Sequence, residues 1–384
     1  MIICILNYIL RDSILSIQYL IDCGEKRCHP PIPINDYWKP DFLIGVPNRS
    51  RFRQKGNKSI YKRPAMRLIL PVLLLLLGGC GPRMGVPVVL TGESPNVTIM
   101  TFNVKWLVDS EELVARLKSK RIWGLESRDE ESEIAAHHEA VANTIVRHSP
   151  DIICLQEVIN EAAAKRLVQT LQTKGANYNL HYMNSRDSFT EQDVVFLTSA
   201  NSTETIEAEK ATRSSHPRDP SKCTILRCRI GEQHVALVGI HLKSIPDKLQ
   251  SVTKRNSQVS AVAQDLRKLH KNGYYPIVLG DFNDWDGDVE DANPKATPLP
   301  SSRVFSSLKD YHEGGGKELI NCLKFVEGTE KRYTYDYKGS KTVLDHILIP
   351  SNWEGNVGSV TIDHESPTDA SDHWPLVLRM DASS

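Results

Sequence analysis

The chain has 384 residues, of which 40% are apolar and 24% are charged, and these proportions exclude a collagen, a coiled coil or a largely disordered protein. The formal net charge is zero, but 12 basic and 5 acidic side chains precede Cys80, which leaves 35 basic and 42 acidic ones and a net charge of −7 for the remainder. A domain of that sign does not attract polyanions in general, so phosphate chemistry would depend on local arginines or metal ions.

The first 80 residues contain the pattern of an export signal. Met66-Arg67 precedes the apolar run 68–77, and Gly78-Gly79-Cys80 follows it. About ten apolar residues are too few to span a bilayer but are typical of a signal peptide. The segment 77–80 resembles the bacterial lipobox. This resemblance implies cleavage before Cys80, acylation of its thiol and a lipid anchor in the cell envelope, and Gly81 favours the outer membrane.

These features predict four segments. Residues 1–65 would be an over-extended start or a disordered segment, 66–79 a lipoprotein signal peptide, and 80–95 the anchor and linker, whereas 96–384 would form one folded, monomeric domain. Within that domain Cys154 is interpreted as a small buried hydrophobic residue. Neither CxxC nor Cys/His zinc spacing is present, and disulfide pairing stays open.

The folded domain begins with alternating strands and helices, and strands crowd its last third. Helical spacing predicts helices at 111–120, 132–148, 161–174 and 258–270. Alternating or continuous apolar runs predict strands at 97–102, 151–155, 194–197, 224–229, 235–241, 277–279, 332–337, 343–349, 357–362 and 376–379. This distribution indicates an α+β fold with more than one sheet.

Polar side chains stand at or beside the ends of six predicted strands. A turn or a solvent-exposed strand end would explain any one of them. Together they would face one crevice, where ligands commonly bind to sheet proteins. They are Asn103, Glu157, His241, the run Asp281–Asp284, Asp345-His346 and Asp372-His373.

The chemistry of these side chains favours hydrolysis of a phosphate ester. Carboxylate and amide oxygens are hard ligands that suit Mg²⁺ or Mn²⁺, and histidines beside carboxylates suit proton transfer. The sequence has no serine or cysteine nucleophile elbow and no Gly-rich nucleotide loop. A hard metal ion with acid and base groups activates water for attack on phosphorus.

Six motifs in this order resemble the endonuclease/exonuclease/phosphatase superfamily, the group of deoxyribonuclease I and exonuclease III. The resemblance extends from about Asn96 to Met380 and implies a four-layer α/β/β/α sandwich of two mixed β-sheets with outer helices. The motifs are Phe102-Asn103, Leu155-Gln156-Glu157, Gly239-Ile240-His241-Leu242, Leu279-Gly280-Asp281-Phe282-Asn283-Asp284, Leu344-Asp345-His346-Ile347 and Ser371-Asp372-His373-Trp374-Pro375.

The resemblance implies a role for each site residue. Glu157 would be the principal metal carboxylate, Asn103 would contact metal or phosphate beside it, and Asp372 would complete the metal region. Asp281 would orient or deprotonate the attacking water, and Asn283 would hydrogen-bond the phosphoryl oxygens.

The remaining implied roles concern charge on the phosphoryl group. His373 would stabilise the pentacovalent state or share acid–base work, with Asp345 holding its imidazole, and His241 would contact phosphate or the leaving oxygen from the opposite wall. Arg218 resembles a phosphate-contacting arginine of the nuclease branch. Several members carry an acidic or amide side chain where this chain has Lys105, which favours one metal ion over two.

The substrate stays open between three readings. A nuclease is favoured, because aromatic side chains beside the motifs could stack on bases and the basic residues Lys248, Lys254 and Arg255 could line a phosphate track, although a core position or a solvated helix face would also explain them. A lipid or small-molecule phosphodiesterase and a non-catalytic surface lipoprotein are the alternatives. The aromatic residues are Trp106, Trp285, Tyr335 and Trp374.

Overall fold

A computed structural model describes residues 88–90, 96–120, 125, 128–200, 212–213, 220–366 and 368–381. The predicted signal peptide, Cys80 and Arg218 lie outside the described residues, so the predictions made for them stay predictions. In the part that is described, none of the helices combines the length and the apolar composition that crossing a bilayer requires.

Two six-stranded sheets and a hairpin contain the strands. In chain order these are β1 (Val88–Leu90), β2 (Asn96–Leu107), β3 (Ile152–Val158), β4 (Tyr178–His181), β5 (Asp193–Ser199), β6 (Cys223–Ile230), β7 (Gln233–His241), β8 (Tyr275–Asp281), β9 (Leu319–Asn321), β10 (Tyr335–Tyr337), β11 (Ser340–Thr342), β12 (Asp345–Pro350), β13 (Val357–Ile362) and β14 (Leu376–Asp381). One sheet has the order β1-β6-β7-β8-β12-β9, the other has the order β13-β14-β2-β3-β5-β4, and β10 pairs with β11. Both large sheets mix parallel and antiparallel pairs.

The helices cover the outer faces of the two sheets. They are α1 (Glu111–Ser119), α2 (Glu131–His148), α3 (Glu161–Thr173), α4 (Leu249–Lys271) and α5 (Val304–Lys309), with 3-10 turns at Cys322–Phe325, Thr329–Lys331 and Ser351–Asn356. Ile145 of α2 and Leu167 of α3 pack against the sheet that contains β2 and β3. Val262 of α4 and Phe305 of α5 pack against the other sheet. This arrangement confirms the predicted four-layer sandwich.

The strand period separates the central core from the outer ones. Side chains alternate between the two faces of a strand, so in β3 Cys154 joins the core between the sheets while Ile153 and Leu155 contact the helix layer. Cys154 is buried, as are Cys223, Cys228 and Cys322. The central core is therefore continuous from sheet to sheet, and only its end can hold polar groups.

One helix differs from the sequence prediction in a way that matters below. Helix α4 begins at Leu249, nine residues before the predicted start at Gln258. Its first turns contain Arg255 at a position that an apolar residue would usually take, and this residue is fully buried. Both interpretations of Arg255, as part of a phosphate track and as a charge on a solvated helix face, are therefore wrong.

Candidate active site

Three site residues are direct neighbours across one sheet. In the pairing register His241 of β7 lies opposite Asp281 of β8, and Asp281 lies opposite Asp345 of β12. All three follow the inward-facing period of their strands, since Leu237 and Leu279 on the same faces belong to the core between the sheets. The end of that core is therefore built from a histidine and two carboxylates.

The opposite sheet contributes its residues through a bulge. Asn103 of β2 pairs with Gln156 of β3, but the next partners are Leu107 and Val158, so three residues of β2 face Glu157 alone. Lys105, Trp106 and Glu157 all have positive φ, at 46°, 57° and 65°. Such non-glycine conformations are uncommon, and bulges often re-aim a side chain beside an active site. Glu157 is thereby turned out of strand alternation towards the other sheet.

The two sheets meet in a group of two carboxylates, one amide and one imidazole. The Asn103 Nδ2 atom donates to Asp281 Oδ2 at 3.1 Å and to Glu157 Oε1 at 3.4 Å. His241 Nε2 lies 3.6 Å from Asp281 Oδ2 and 3.9 Å from Glu157 Oε1. The Trp106 backbone N–H donates to Glu157 Oε2 at 3.2 Å, which fixes the second oxygen of that carboxylate.

Burial changes the protonation of this group. Burial raises the pKa of Glu157, and burial together with the neighbouring Asp345 and Glu157 carboxylates raises the pKa of Asp281 to about 7. Burial, with help from Lys222, lowers the pKa of His241 well below its usual value, so this imidazole is neutral. The group therefore contains two carboxylates and no positive charge at ion-pair distance among the described residues.

A second part of the site is an ion pair. Asp345 Oδ2 lies 2.6 Å from His373 Nδ1, and both residues are buried. Burial lowers the pKa of His373, but the Asp345 charge and hydrogen bond outweigh it and raise the pKa to about 10. His373 is therefore an imidazolium at neutral pH, with the Tyr335 ring centroid 4.8 Å from its own.

The segment after β8 positions the remaining amide. The Asn283 backbone N–H donates to Asp281 Oδ1 at 2.9 Å, and its Nδ2 donates to the Leu242 carbonyl at 3.3 Å. Gly280 has φ of 135°, and a Cβ there would lie 2.0 Å from the Ile240 carbonyl oxygen. Only glycine fits this close approach, so Gly280 allows Asp281 and Asn283 to turn into the site.

The donor set fits a hard divalent cation. Glu157, which is partly buried, and Asp281, which is buried, present close carboxylates with raised pKa, and the second oxygen of Asp345 is buried without a hydrogen-bond partner. One atom each from Asp281, Asp345 and His373 lies within 4.8 Å of the others, but a protonated His373 is a donor and not a ligand. Glu157 would hold the cation, and Asn103, whose Nδ2 atom contacts Glu157 and Asp281, lies beside it.

Asp372 and Lys105 stand apart from this group. Lys105 Nζ lies 3.4 Å from Asp372 Oδ2, and both side chains are more than a third exposed. Lys105, which stands where several family members carry an acidic or amide side chain, thus contacts Asp372, the carboxylate predicted to complete the metal region. The catalytic and metal residues proposed from the sequence that the structure describes therefore lie at one end of the sandwich, and their individual roles stay predictions.

A cleft of about 630 Å³ opens over these residues. Trp106, Trp285 and Tyr335 line it, whereas Trp374 does not and packs against the central core. Trp285 Nε1 donates to Thr342 Oγ1 at 2.8 Å, so its ring has a fixed orientation. Three of the four aromatic residues considered for stacking are thus present in the cleft.

Sequence reasoning missed two hydroxyl groups that hold the site. Ser371 Oγ donates to the Asn103 carbonyl at 2.7 Å and accepts from the His373 N–H at 3.0 Å. Thr334 Oγ1 accepts from the N–H of Leu344 and of Asp345, both at 3.0 Å. Ser371 stands inside a quoted motif, but no local pattern marks Thr334.

The two mixed sheets with outer helices are the deoxyribonuclease I-like α/β sandwich, and the polar group described above lies at one end of its core. The model of the endonuclease/exonuclease/phosphatase family matches residues 100–373. The chain belongs to this family, whose members are hydrolases of phosphate esters. No curated protein sequence matches the chain.

Solved structures support the fold at low sequence identity. A truncated TDP2 from Caenorhabditis elegans is 18% identical with a TM-score of 0.50, covering 76% of this chain and 99% of that one. A variant of the 3′ phosphatase NExo from Neisseria, bound to a product DNA hairpin, is 18% identical with a TM-score of 0.51, covering 74% and 99%. The 3′-5′ exonuclease NExo from Neisseria meningitidis is also 18% identical with a TM-score of 0.51, covering 74% and 100%.

Proposed function

We propose that the protein is a divalent-metal-dependent phosphoesterase that cleaves nucleic acid with an activated water molecule. The observation that carries the proposal is the meeting of Glu157, Asp281 and the His373–Asp345 pair at the floor of one cleft. Carboxylates without a counter-charge beside a fixed imidazolium suit an anionic phosphate only when a cation is bound, and Mg²⁺ or Mn²⁺ matches the oxygen donors.

In the proposed mechanism one carboxylate accepts a proton, and an amide and an imidazolium stabilise negative charge on the phosphoryl group. The bound cation would neutralise the phosphoryl oxygens and acidify water. Asp281, which lies beside Glu157 at the cleft floor, accepts a proton from the attacking water. The second Nδ2 hydrogen of Asn283 and the imidazolium of His373 stabilise the charge that develops on the phosphoryl oxygens. The bond from phosphorus to the leaving oxygen then breaks, opposite the new bond to water.

Two observations support nucleic acid as the substrate. Trp106, Trp285 and Tyr335 line the cleft and offer ring faces for bases. The Neisseria neighbour of the same fold was solved with a product DNA hairpin, which makes DNA the first substrate to test. The location in the cell envelope and a lipid anchor at Cys80 also belong to the proposal, and mass spectrometry of the native N-terminus tests them.

A substrate panel tests the function. The protein with Mg²⁺ or Mn²⁺ is incubated with plasmid DNA, single-stranded DNA, RNA and sphingomyelin vesicles, beside Asp281→Asn and a control, Asp265→Asn, which alters a buried aspartate of α4 outside the cleft. We expect nucleic-acid cleavage that EDTA abolishes, that Asp281→Asn lowers by about 10²–10³-fold, and that Asp265→Asn leaves in place. Cleavage of lipid alone, or of nothing, would refute a nuclease.

A further inference from the structure

One wall of the cleft exposes an apolar side chain on a strained backbone. Ile245 lies in the loop after β7, lines the cleft and is 41% exposed. Its φ is 70°, a left-handed conformation that β-branched residues rarely adopt because their branched Cβ meets the backbone. Strain of this kind persists only where the surrounding structure enforces it, and it concentrates at ligand sites.

Buried Arg255 enforces this conformation. Its Nη1 atom donates to the carbonyls of Lys243 at 2.9 Å and Ile245 at 3.3 Å, and its Nη2 atom donates to the carbonyl of Pro246 at 2.8 Å. Its Nε atom donates to Asp284 Oδ2 at 3.0 Å, and Arg255 and Asp284 are both fully buried. Because Asp284 ends the segment that contains Asp281 and Asn283, Arg255 fixes the position of Ile245 relative to the hydrolytic residues.

A second exposed apolar side chain lines the same cleft. Tyr337 of the β10–β11 hairpin is 59% exposed. The hairpin is joined to the site, since Tyr335 two residues earlier contacts the His373 ring. In the described part of the chain only four large hydrophobic side chains are exposed, namely Phe189, Ile245, Leu249 and Tyr337. Of these, Ile245 and Tyr337 line the cleft.

The surroundings of this pair select the kind of ligand. Ser244, Asp247, Asn293 and Ser340 line the cleft as well, so the lining combines the two exposed apolar side chains with hydrogen-bonding groups. An acyl chain or a membrane surface requires a continuous apolar area. A nucleobase has an apolar face and polar edges, which matches an apolar pair with a polar surround.

We propose that Ile245 and Tyr337 form a nucleobase subsite beside the scissile phosphate. The substrate class is then a nucleic acid whose base next to the cleaved bond is unpaired and unstacked, because only such a base exposes its faces to side chains. This inference rests on the proposed function and names the substrate of the same cleft. Ile245 and Tyr337 determine specificity in it, and Arg255 is a positioning residue.

Two single-stranded oligonucleotides test the subsite. They have the same length and one cleavable linkage, with an intact base beside it in one and an abasic sugar in the other. In Ile245→Gly and in Tyr337→Ala, KM for the intact oligonucleotide should rise about tenfold, with kcat and the abasic KM unchanged. Ile245→Gly should keep the melting temperature or raise it, since glycine adopts positive φ freely. Phe189→Ala, exposed but outside the cleft lining, is the control.

Each other outcome would contradict either the nucleobase subsite or the proposed hydrolase function. Equal changes of KM for both oligonucleotides, or none for either, would overturn the subsite while the hydrolase stands. If the wild type cleaves neither, the proposed function fails, and base-dependent quenching of the cleft tryptophan fluorescence by the intact oligonucleotide then decides the subsite alone. Loss of binding to phosphatidylcholine vesicles in Ile245→Gly, with oligonucleotide KM unchanged, would assign the pair to a membrane surface.

Discussion

The two halves of the cleft floor balance their buried charges differently. His373 and Asp345 form a complete ion pair at 2.6 Å. Glu157 and Asp281 share only the amide of Asn103 and the neutral imidazole of His241, so among the described residues their negative charge has no cationic partner in contact. The protein thus completes one half itself, and under the proposed function a divalent cation would complete the other half.

The largest effect on stability is expected from breaking the complete half. Asp345→Asn removes the anion that holds His373 charged, and a buried ion pair that loses one partner typically costs about 3–5 kcal/mol. We expect the free energy of unfolding, measured with urea at pH 7, to fall by about 3 kcal/mol, and hydrolysis to fall by about 10²–10³-fold. An unchanged free energy of unfolding would show that the pair is not the balanced unit described here.

Asp281→Asn, the matching substitution in the half without a cationic partner, should raise the free energy of unfolding and not lower it. The pKa of Asp281 is raised from 3.8 to about 7 in the folded protein. Its charge therefore lowers the free energy of unfolding progressively as the pH rises from 3.8 to about 7, and the loss is complete above pH 7. In EDTA at pH 8, Asp281→Asn should raise the free energy of unfolding by about 2 kcal/mol.

The control for this gain is Asp265→Asn, a buried aspartate that has Lys268 at 3.0 Å. That variant should not be stabilised, because its charge already has a partner. A loss of stability in Asp281→Asn under metal-free conditions would contradict the difference between the two halves.

A smaller effect on stability is expected from His181, a buried histidine that is neutral in the folded protein as His241 is. Burial lowers the pKa of His181 to about 4. Between about pH 6.5 and pH 4 this imidazole is therefore neutral in the folded protein but protonated in the unfolded chain. Stability should therefore fall as pH decreases from about 6.5 towards 4. His181→Gln should remove about 1–2 kcal/mol of that loss at pH 5, as urea unfolding measures, while exposed His312→Gln should not. Equal acid sensitivity of all three proteins would refute the neutral assignment.

The sequence predicted the parts of the site that follow a strand period. His241, Asp281 and Asp345 continue an inward-facing alternation that apolar neighbours define, so their convergence follows from the sheets. The orientation of Glu157 depends on a bulge with positive φ at non-glycine residues, for which the sequence has no signal. Arg255 was misassigned because a charged residue at a buried helix position is indistinguishable from one on a solvated face until its partners are known.

Binding of Mn²⁺, followed by electron paramagnetic resonance of the free ion, tests the incomplete half most directly. The account predicts that wild type and Asp345→Asn remove Mn²⁺ from solution and that Mg²⁺ competes with it. Glu157→Gln should lose this binding, because it lacks the principal carboxylate. Binding of Mn²⁺ that is equally tight in Glu157→Gln, or absent from the wild type, would contradict the claim that a cation binds at the Glu157 carboxylate beside Asp281.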